Sequence, residues 1–124
     1  MSTHQVIILF SLLLVVVVSS AEGVAAPAPL ILGGYTPIMN ISDPHVIEVA
    51  RFAVGEHNKQ DKTHMLKFLS IFKGWSQVVA GINYRLIIIA KPLCRPALVR
   101  RYEAVVYERP WQHFMNLTSF KLID

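Results

Sequence analysis

The chain of 124 residues lacks most of the residue patterns that reactive or cross-linked proteins need. It has a single cysteine, Cys94, which excludes an intrachain disulfide framework. Its five histidines show no paired spacing of the HExxH type, and it has neither a GxSxG motif nor a phosphate-binding glycine loop. These absences argue against an enzyme, predict no metal or cofactor, and leave core packing as the source of stability.

Charge is sparse and scattered, with a net charge of +4 and no basic run longer than the pair Arg100-Arg101. The sequence therefore predicts no nucleic-acid partner. Residues 6–18 are apolar except for Ser11, but this run is too short for a membrane span.

The small residues Ser19-Ser20-Ala21 that follow are typical of a signal-peptidase site. We predict a secretory signal over residues 1–21, cut before Glu22, and a secreted product that is extracellular or vacuolar. The alternative is an uncleaved membrane anchor, since residues 1–5 contain no Lys or Arg. After cleavage we expect no membrane contact.

Residues 22–34 are rich in Ala, Pro and Gly and predict a flexible arm that ends in the joint Gly33-Gly34. An ordinary linker turn is the alternative for this glycine pair. Residues 35–124 are then one modest domain. Within it, Asp43-Pro44 is a helix start signal, because Asp caps free N–H groups and Pro suits the first turn.

A helix over residues 44–60 follows, with an apolar side made by Val46, Ile47, Ala50, Ala53, Val54 and His57. Phe52 lies outside this stripe. Gly55 costs about 1 kcal/mol of helix stability relative to Ala, and close packing against a sheet would explain why a glycine is present.

A short strand is expected over residues 35–38, and four longer strands over residues 65–77, 82–91, 97–109 and 115–122. One helix followed by antiparallel strands is an α+β layout.

Two connections between these strands are candidate partner sites. Gln77-Val78-Val79-Ala80-Gly81 is an uncharged, apolar hairpin tip that ends in a glycine. Exposed apolar surface marks partner sites, although a strand end that continues into the core is the alternative. Pro110-Trp111 lies in the last connection, where Pro indicates a turn and a core Trp is the alternative.

The pentapeptide at residues 77–81 resembles the first inhibitory hairpin of the cystatins, which are protein inhibitors of papain-like cysteine proteases. Residues 49–54, followed by Glu56-His57-Asn58, resemble the helix signature of the plant branch, the phytocystatins. Gly33-Gly34 and Pro110-Trp111 stand where that family has its N-terminal glycine and its second hairpin. The four matches occur in family order over residues 33–122.

The resemblance implies a cystatin-like fold, with one long helix packed on a curved antiparallel sheet of four to five strands. It implies a reversible competitive inhibitor of papain-like cysteine proteases that acts as a monomer, although a dimer that swaps its first hairpin is also compatible. The implied protease-binding residues are Gly33, Gly34, Gln77, Val78, Val79, Ala80, Gly81, Pro110 and Trp111, with Ile31 and Leu32 in the specificity pockets. The alternative is a binding or storage module of the same fold that does not inhibit.

Cys94 lies between Pro92 and Pro96 in a predicted loop, where a free surface thiol is expected. A nucleophile pair of Cys94 with a distant His is the remaining enzyme hypothesis. Asn40 and Asn116 begin acceptor sequons for glycosylation, and we expect Asn116 to stay unmodified.

Overall fold

The computed structural model describes residues 34–124, which form one compact unit. The described residues form one α-helix and a five-stranded antiparallel sheet whose strands are neighbours in chain order. The elements are β1 Thr36–Pro37, α1 Pro44–Gln60, β2 Leu66–Val79, β3 Gly81–Pro92, β4 Arg100–Arg109 and β5 Phe114–Leu122. The predicted α+β fold is confirmed. The predicted signal and all of the predicted arm except Gly34 lie outside the described residues.

The helix begins and ends at the residues that its sequence indicates. The Asp43 carboxylate accepts a hydrogen bond of 2.8 Å from the backbone N–H of His45, and Pro44 occupies the first turn. At the other end, the N–H of Asp61 donates to the carbonyl of His57. Among residues 34–124, no helix is long and apolar enough to cross a membrane.

The buried face of α1 is broader than the predicted stripe. Val49, absent from that stripe, is fully buried, whereas Ile47 and His57 are only half-buried. The reason is that α1 contacts all four long strands, so the sheet covers a wide arc of the helix. The buried helix residues are Val46, Val49, Ala50, Ala53 and Val54, and the fully buried large side chains that face them from the sheet are Leu86, Ile88 and Val106.

The strands pair as predicted, with two local differences. The register between β2 and β3 shifts twice, leaving Leu69 and Phe72 as extra exposed residues on β2, and such bulges bend a strand. Strand β4 begins at Arg100, three residues later than predicted, because the N–H of Leu98 closes a turn onto the carbonyl of Arg95. On β3, Tyr84, Leu86, Ile88 and Ala90 are buried in the core, whereas Ile87 is buried on the opposite face and Ile82 is only half-buried.

A charged residue is buried where α1 meets the end of β4. Glu108 is 5% exposed, and its Oε1 lies 2.8 Å from Nε2 of His45. The other ring nitrogen of His45 lies 2.9 Å from a carboxylate oxygen of Glu48. Only a protonated imidazole donates at both nitrogens. Burial, together with the Glu108 carboxylate, raises the pKa of Tyr84 to about 12, so this phenol stays neutral.

Replacement of Gly55 by alanine is expected to stabilise the fold. A Cβ at Gly55 would meet nothing within 4 Å, so the expected close packing against the sheet is wrong. Without that constraint the glycine only weakens the helix. Gly55→Ala should raise the free energy of unfolding by about 1 kcal/mol, measured by urea denaturation.

Gly74 on β2 offers the matched control. A Cβ there would lie 2.6 Å from Cδ2 of Leu86 and 3.3 Å from Cδ1 of Ile38. Gly74→Ala should therefore destabilise the fold by about 1–3 kcal/mol through overpacking. A loss of stability in Gly55→Ala would show that its open surroundings do not decide the outcome.

The contact between His45 and Glu108 should make stability depend on pH. The hydrogen bond to Glu108 raises the pKa of His45 above its ordinary value of 6.5. The resulting stabilisation is fully present below pH 6.5 and is lost as pH rises through the raised pKa. The melting temperature should therefore fall over this range in the native protein and fall less in His45→Gln.

Four other titratable groups lie close to His45. They are Glu108 from β4, Tyr84 from β3, Glu48 on α1 and the backbone-capping Asp43. Tyr84 does not titrate over this range because its pKa is about 12. Parallel pH profiles for the native protein and His45→Gln would assign the dependence to other residues.

Candidate functional site

Two hairpin turns lie side by side at one end of the sheet. Val79 pairs with Gly81, so Ala80 alone forms the turn between β2 and β3. The turn between β4 and β5 is a 3-10 turn over Pro110–Gln112. Because Ile82 pairs with Glu108, the two turns project from neighbouring strands at the same level.

The first turn is tighter than the sequence predicts. The expected five-residue tip is mostly paired strand, since Gln77 pairs with Asn83 and Val78 with Ile82. The amide of Asn83 also donates to the side-chain oxygen of Gln77 at 2.9 Å. The strand thus continues as the alternative interpretation had it, but its end does not enter the core.

Gly81 has a position that only glycine fills without strain. Its φ is +118°, and a Cβ there would lie 2.6 Å from the carbonyl oxygen of Glu108 and 2.8 Å from the Tyr107 ring. The hydroxyl of Tyr107 donates a hydrogen bond to the carbonyl of Ala80. The strand that leads into the second turn therefore holds the first turn in place.

The second turn is braced in a similar way. Pro110 opens it, and His113 closes it in the left-handed conformation, with φ of 48° and a hydrogen bond of 3.1 Å from its N–H to the carbonyl of Pro110. The guanidinium carbon of Arg109 lies 4.4 Å from the centre of the Phe114 ring. These contacts hold the turn that carries Trp111.

Both turns expose apolar side chains. Trp111 is 64% exposed and Val78 is 57% exposed, and Val79 and Ala80 are also exposed. The alternative of a core Trp at position 111 is therefore wrong. We call these four residues, Val78, Val79, Ala80 and Trp111, the tip surface.

The segment before β1 approaches the same end. Thr36 pairs with Ser76 in antiparallel orientation, so the chain before Thr36 runs toward the first turn. By this register the exposed Gly34 lies near the level of Val78. Gly33, Ile31 and Leu32 lie outside the described residues. The structure thus brings together every candidate site residue that it describes.

The site contains no group suited to catalysis. Its side chains are apolar or uncharged, and within residues 34–124 no three His, Cys, Asp or Glu residues cluster as metal ligands. The exposed Cys94 lies in the loop after β3, at the opposite end of the sheet. The arrangement can fill a cleft by shape and backbone hydrogen bonds.

Sequence reasoning missed the residues that support the site. Tyr107, Arg109 and the pair His45–Glu108 hold the turns, yet no local motif marks them. His45 and Glu108 are 63 positions apart, so only the register of β4 reveals their contact. The spacing of two residues between Tyr107 and Arg109 indicates that they lie on one face of β4. It does not indicate that both contact the turns.

A comparison with protein-family models matches residues 38–123 to a family described as aspartic acid proteinase inhibitor. Among characterised proteins, the chain is 52% identical over 91 residues to cysteine proteinase inhibitor 1 of Actinidia chinensis var. chinensis, covering 73% of this chain and 75% of the relative. It is 41% identical over 119 residues to cysteine proteinase inhibitor 5 of Arabidopsis thaliana, covering 96% and 93%.

Among solved structures, the fold is similar to a salivary cystatin of the soft tick Ornithodoros moubata. The TM-score is 0.65 at 24% identity, covering 76% of this chain and all of the tick protein. This likeness confirms the predicted fold. The relatives are named as inhibitors, which confirms that the chain is not an enzyme. With the identities to the plant proteins, the chain belongs to the cystatin family, in its plant branch of cysteine proteinase inhibitors.

Proposed function

We propose that the protein is a reversible competitive inhibitor of papain-like cysteine proteases and that its tip surface enters the active-site cleft. The observation that carries this proposal is the position of Trp111 beside the first turn, with apolar side chains exposed on two braced hairpins. A protein exposes such surface at a cost in solubility, which a partner cleft offsets.

The hairpins suit a wedge that is bound but not cut. The first turn is held by ladder pairing up to Val79 and by the hydrogen bond from Tyr107, so it loses little conformational freedom on docking. A tight turn at Ala80 also does not present an extended peptide bond to a nucleophile. Protease–inhibitor contacts of this kind bury about 1,600 Å² in total.

Gly34 and the residues before it complete the proposed wedge. The register of β1 directs this segment past the first turn, and glycine lets a backbone pass close to a partner surface. In this proposal Gly33 acts with Gly34, and Ile31 and Leu32 occupy specificity pockets. Gln77, Gly81 and Pro110 shape the two turns.

The names of the plant relatives support cysteine proteases as the target class. The rival hypothesis is a storage or binding module that does not inhibit. Such a module would have no need to keep an exposed apolar surface, so the uncharged, fully formed tip surface disfavours it. We further propose that the monomer is the active form. A swapped dimer would open the first hairpin at Ala80 and so remove part of the tip surface.

The matched family model favours a second candidate function, since it is described by inhibition of aspartic proteinases. The same apolar tips would then occupy the cleft of an aspartic proteinase. Steady-state assays against papain and against pepsin separate the two functions. Competitive inhibition of pepsin without inhibition of papain would replace the first proposal with the second.

Trp111→Ala should weaken inhibition of papain at least about tenfold, because a Trp at an interface contributes about 2 kcal/mol or more. The indole is exposed in the free protein, so its loss should leave the fold intact. The measurement is the inhibition constant of the purified protein in a steady-state papain assay, with the urea midpoint as a check on folding.

Leu93→Ala is the matched control for this substitution. Leu93 is also an exposed large apolar residue, but it lies in the loop after β3 at the opposite end of the sheet. Its loss should leave the inhibition constant unchanged. Equal inhibition by Trp111→Ala and the native protein would place the second turn outside the interface.

Gly81→Val should damage the first turn while leaving the core folded. A β-branched residue is strained at a φ of +118°, and its Cβ would press on the carbonyl of Glu108. Papain inhibition should fall more than tenfold, by about 2 kcal/mol or more in binding. An unchanged inhibition constant alongside a native circular dichroism spectrum would refute a role for the turn.

A further inference from the structure

The face of the sheet that points away from α1 is strongly basic. Because side chains alternate along strands, the pairing of β2 to β5 shows which residues share this face. They include one carboxylate, that of Glu103, and the cations Lys67, Lys73, Arg85, Lys91, Arg101, Arg109 and Lys121. We call this set the outer face.

One further carboxylate approaches the outer face, since Oδ2 of Asp124 lies 3.6 Å from Nε of Arg101. The other acidic residues that offset this charge lie elsewhere in the described chain. Most belong to α1 and its ends, namely Asp43, Glu48, Glu56 and Asp61. The net charge of +4 for the whole chain therefore conceals a separation of charge between the helix side and the outer face. Such a separation creates a positive field over one surface.

Aromatic rings hold the cations of the outer face in place. The guanidinium carbon of Arg85 lies 4.3 Å from the centre of the Trp75 ring and 5.6 Å from that of Tyr35. The ammonium of Lys73 lies 5.4 Å from the Trp75 ring and 5.6 Å from the Phe72 ring.

Arg101 completes the series, at 4.4 Å from the Phe72 ring. The result is a continuous row in which rings and cations alternate across three strands. A cation stacked on a ring keeps its N–H groups at the edge available for an anion.

One pair on this face opposes folding. Lys67 and Lys91 stand directly opposite each other on β2 and β3, and like charges in that position are destabilising. No carboxylate on the outer face within residues 34–124 pairs with either side chain, since Glu103 contacts Arg85 and Lys121 instead. An anion bound from outside would relieve this repulsion.

We propose that the outer face binds a linear acidic polysaccharide through the carboxylates of its sugars. A guanidinium and a carboxylate form two parallel hydrogen bonds, which suits Arg85 and Arg101. An extended chain with a carboxylate on each ring would meet successive cations as it crosses the strands.

The structure favours this occupant over nucleic acid and over a membrane. Proteins bind single-stranded nucleic acids by stacking the bases on free faces of aromatic side chains. Here cations cover faces of Phe72 and Trp75. A membrane surface favours apolar groups that insert beside the cations. The exposed ring of Phe72 on the outer face is instead stacked against Lys73 and Arg101, and the exposed Val78 and Trp111 lie at the tip surface.

The outer face and the tip surface are separate. The row from Arg101 to Arg85 lies over the middle of the strands, whereas the tip surface lies at their end. The inhibitor could therefore bind a polysaccharide and a protease at the same time. Binding to the polysaccharide would determine where the inhibitor is retained, and the tip surface would determine which protease it inhibits.

The test is binding of the purified protein to immobilised polygalacturonate over a series of salt concentrations. We expect binding at low salt that weakens steadily as salt rises. The variant Lys73→Gln/Arg85→Gln/Arg101→Gln should lose at least about tenfold in affinity. Its inhibition constant for papain should stay within about twofold of the native value, which separates this inference from the proposed function.

A control of equal charge change is Lys59→Gln/Lys62→Gln/Arg95→Gln, whose side chains lie on the helix end and in loops. It should retain polysaccharide affinity within about twofold, because its cations are away from the outer face. An equal loss in this control would show that net charge alone drives binding and would overturn the proposal.

A second variant guards against misfolding of the first. Lys67→Gln/Lys91→Gln should raise the melting temperature in the absence of polymer and weaken polygalacturonate binding. Absence of binding by the native protein at low salt would overturn the proposal. Tighter binding to a single-stranded DNA oligonucleotide, or to phosphatidylserine vesicles, at equal ionic strength would also overturn it.

Discussion

The close packing of α1 against the sheet is the constraint on which the rest of the structure depends. Ala50 and Ala53 have no exposed surface, and their small size lets the helix approach Leu86 and Ile88 on β3. This contact buries one face of β3 and β4 and parts of β2, and it half-buries Met115, Leu117 and Phe120 on β5. The other face of the sheet and the two turns at the strand ends lie outside this core. Both proposed binding surfaces, the outer face and the tip surface, lie there.

The order of the strands in the sheet brings the two turns of the candidate site together. Because the strands are neighbours in chain order, the turn after β2 and the turn after β4 leave the sheet at the same end. The ion pair of His45 and Glu108 then ties the second turn to the first turn of the helix. The apolar core and a few polar contacts thus fix the tips in position without any of their exposed side chains taking part.

The sequence predicts the elements well where a local signal exists and fails where the contact is distant. Asp43-Pro44 marks the start of α1 because capping is a property of adjacent residues. The burial of Val49 depends on how far the sheet wraps around the helix, which periodicity does not reveal. Likewise, the length of the first turn depends on pairing of Val79 with Gly81, and the outer face depends on the register of four strands.

The exposure of Val78, Val79 and Trp111 has an evolutionary consequence. Their side chains add little to the free energy of folding, so substitutions among them have little effect on stability. Under the proposed function, the same substitutions change which proteases the protein prefers. Gly81 is the exception, because its backbone conformation is set by neighbours. A lineage, or a library built in the laboratory, can therefore diversify target range at these three positions without first acquiring compensating mutations in the core.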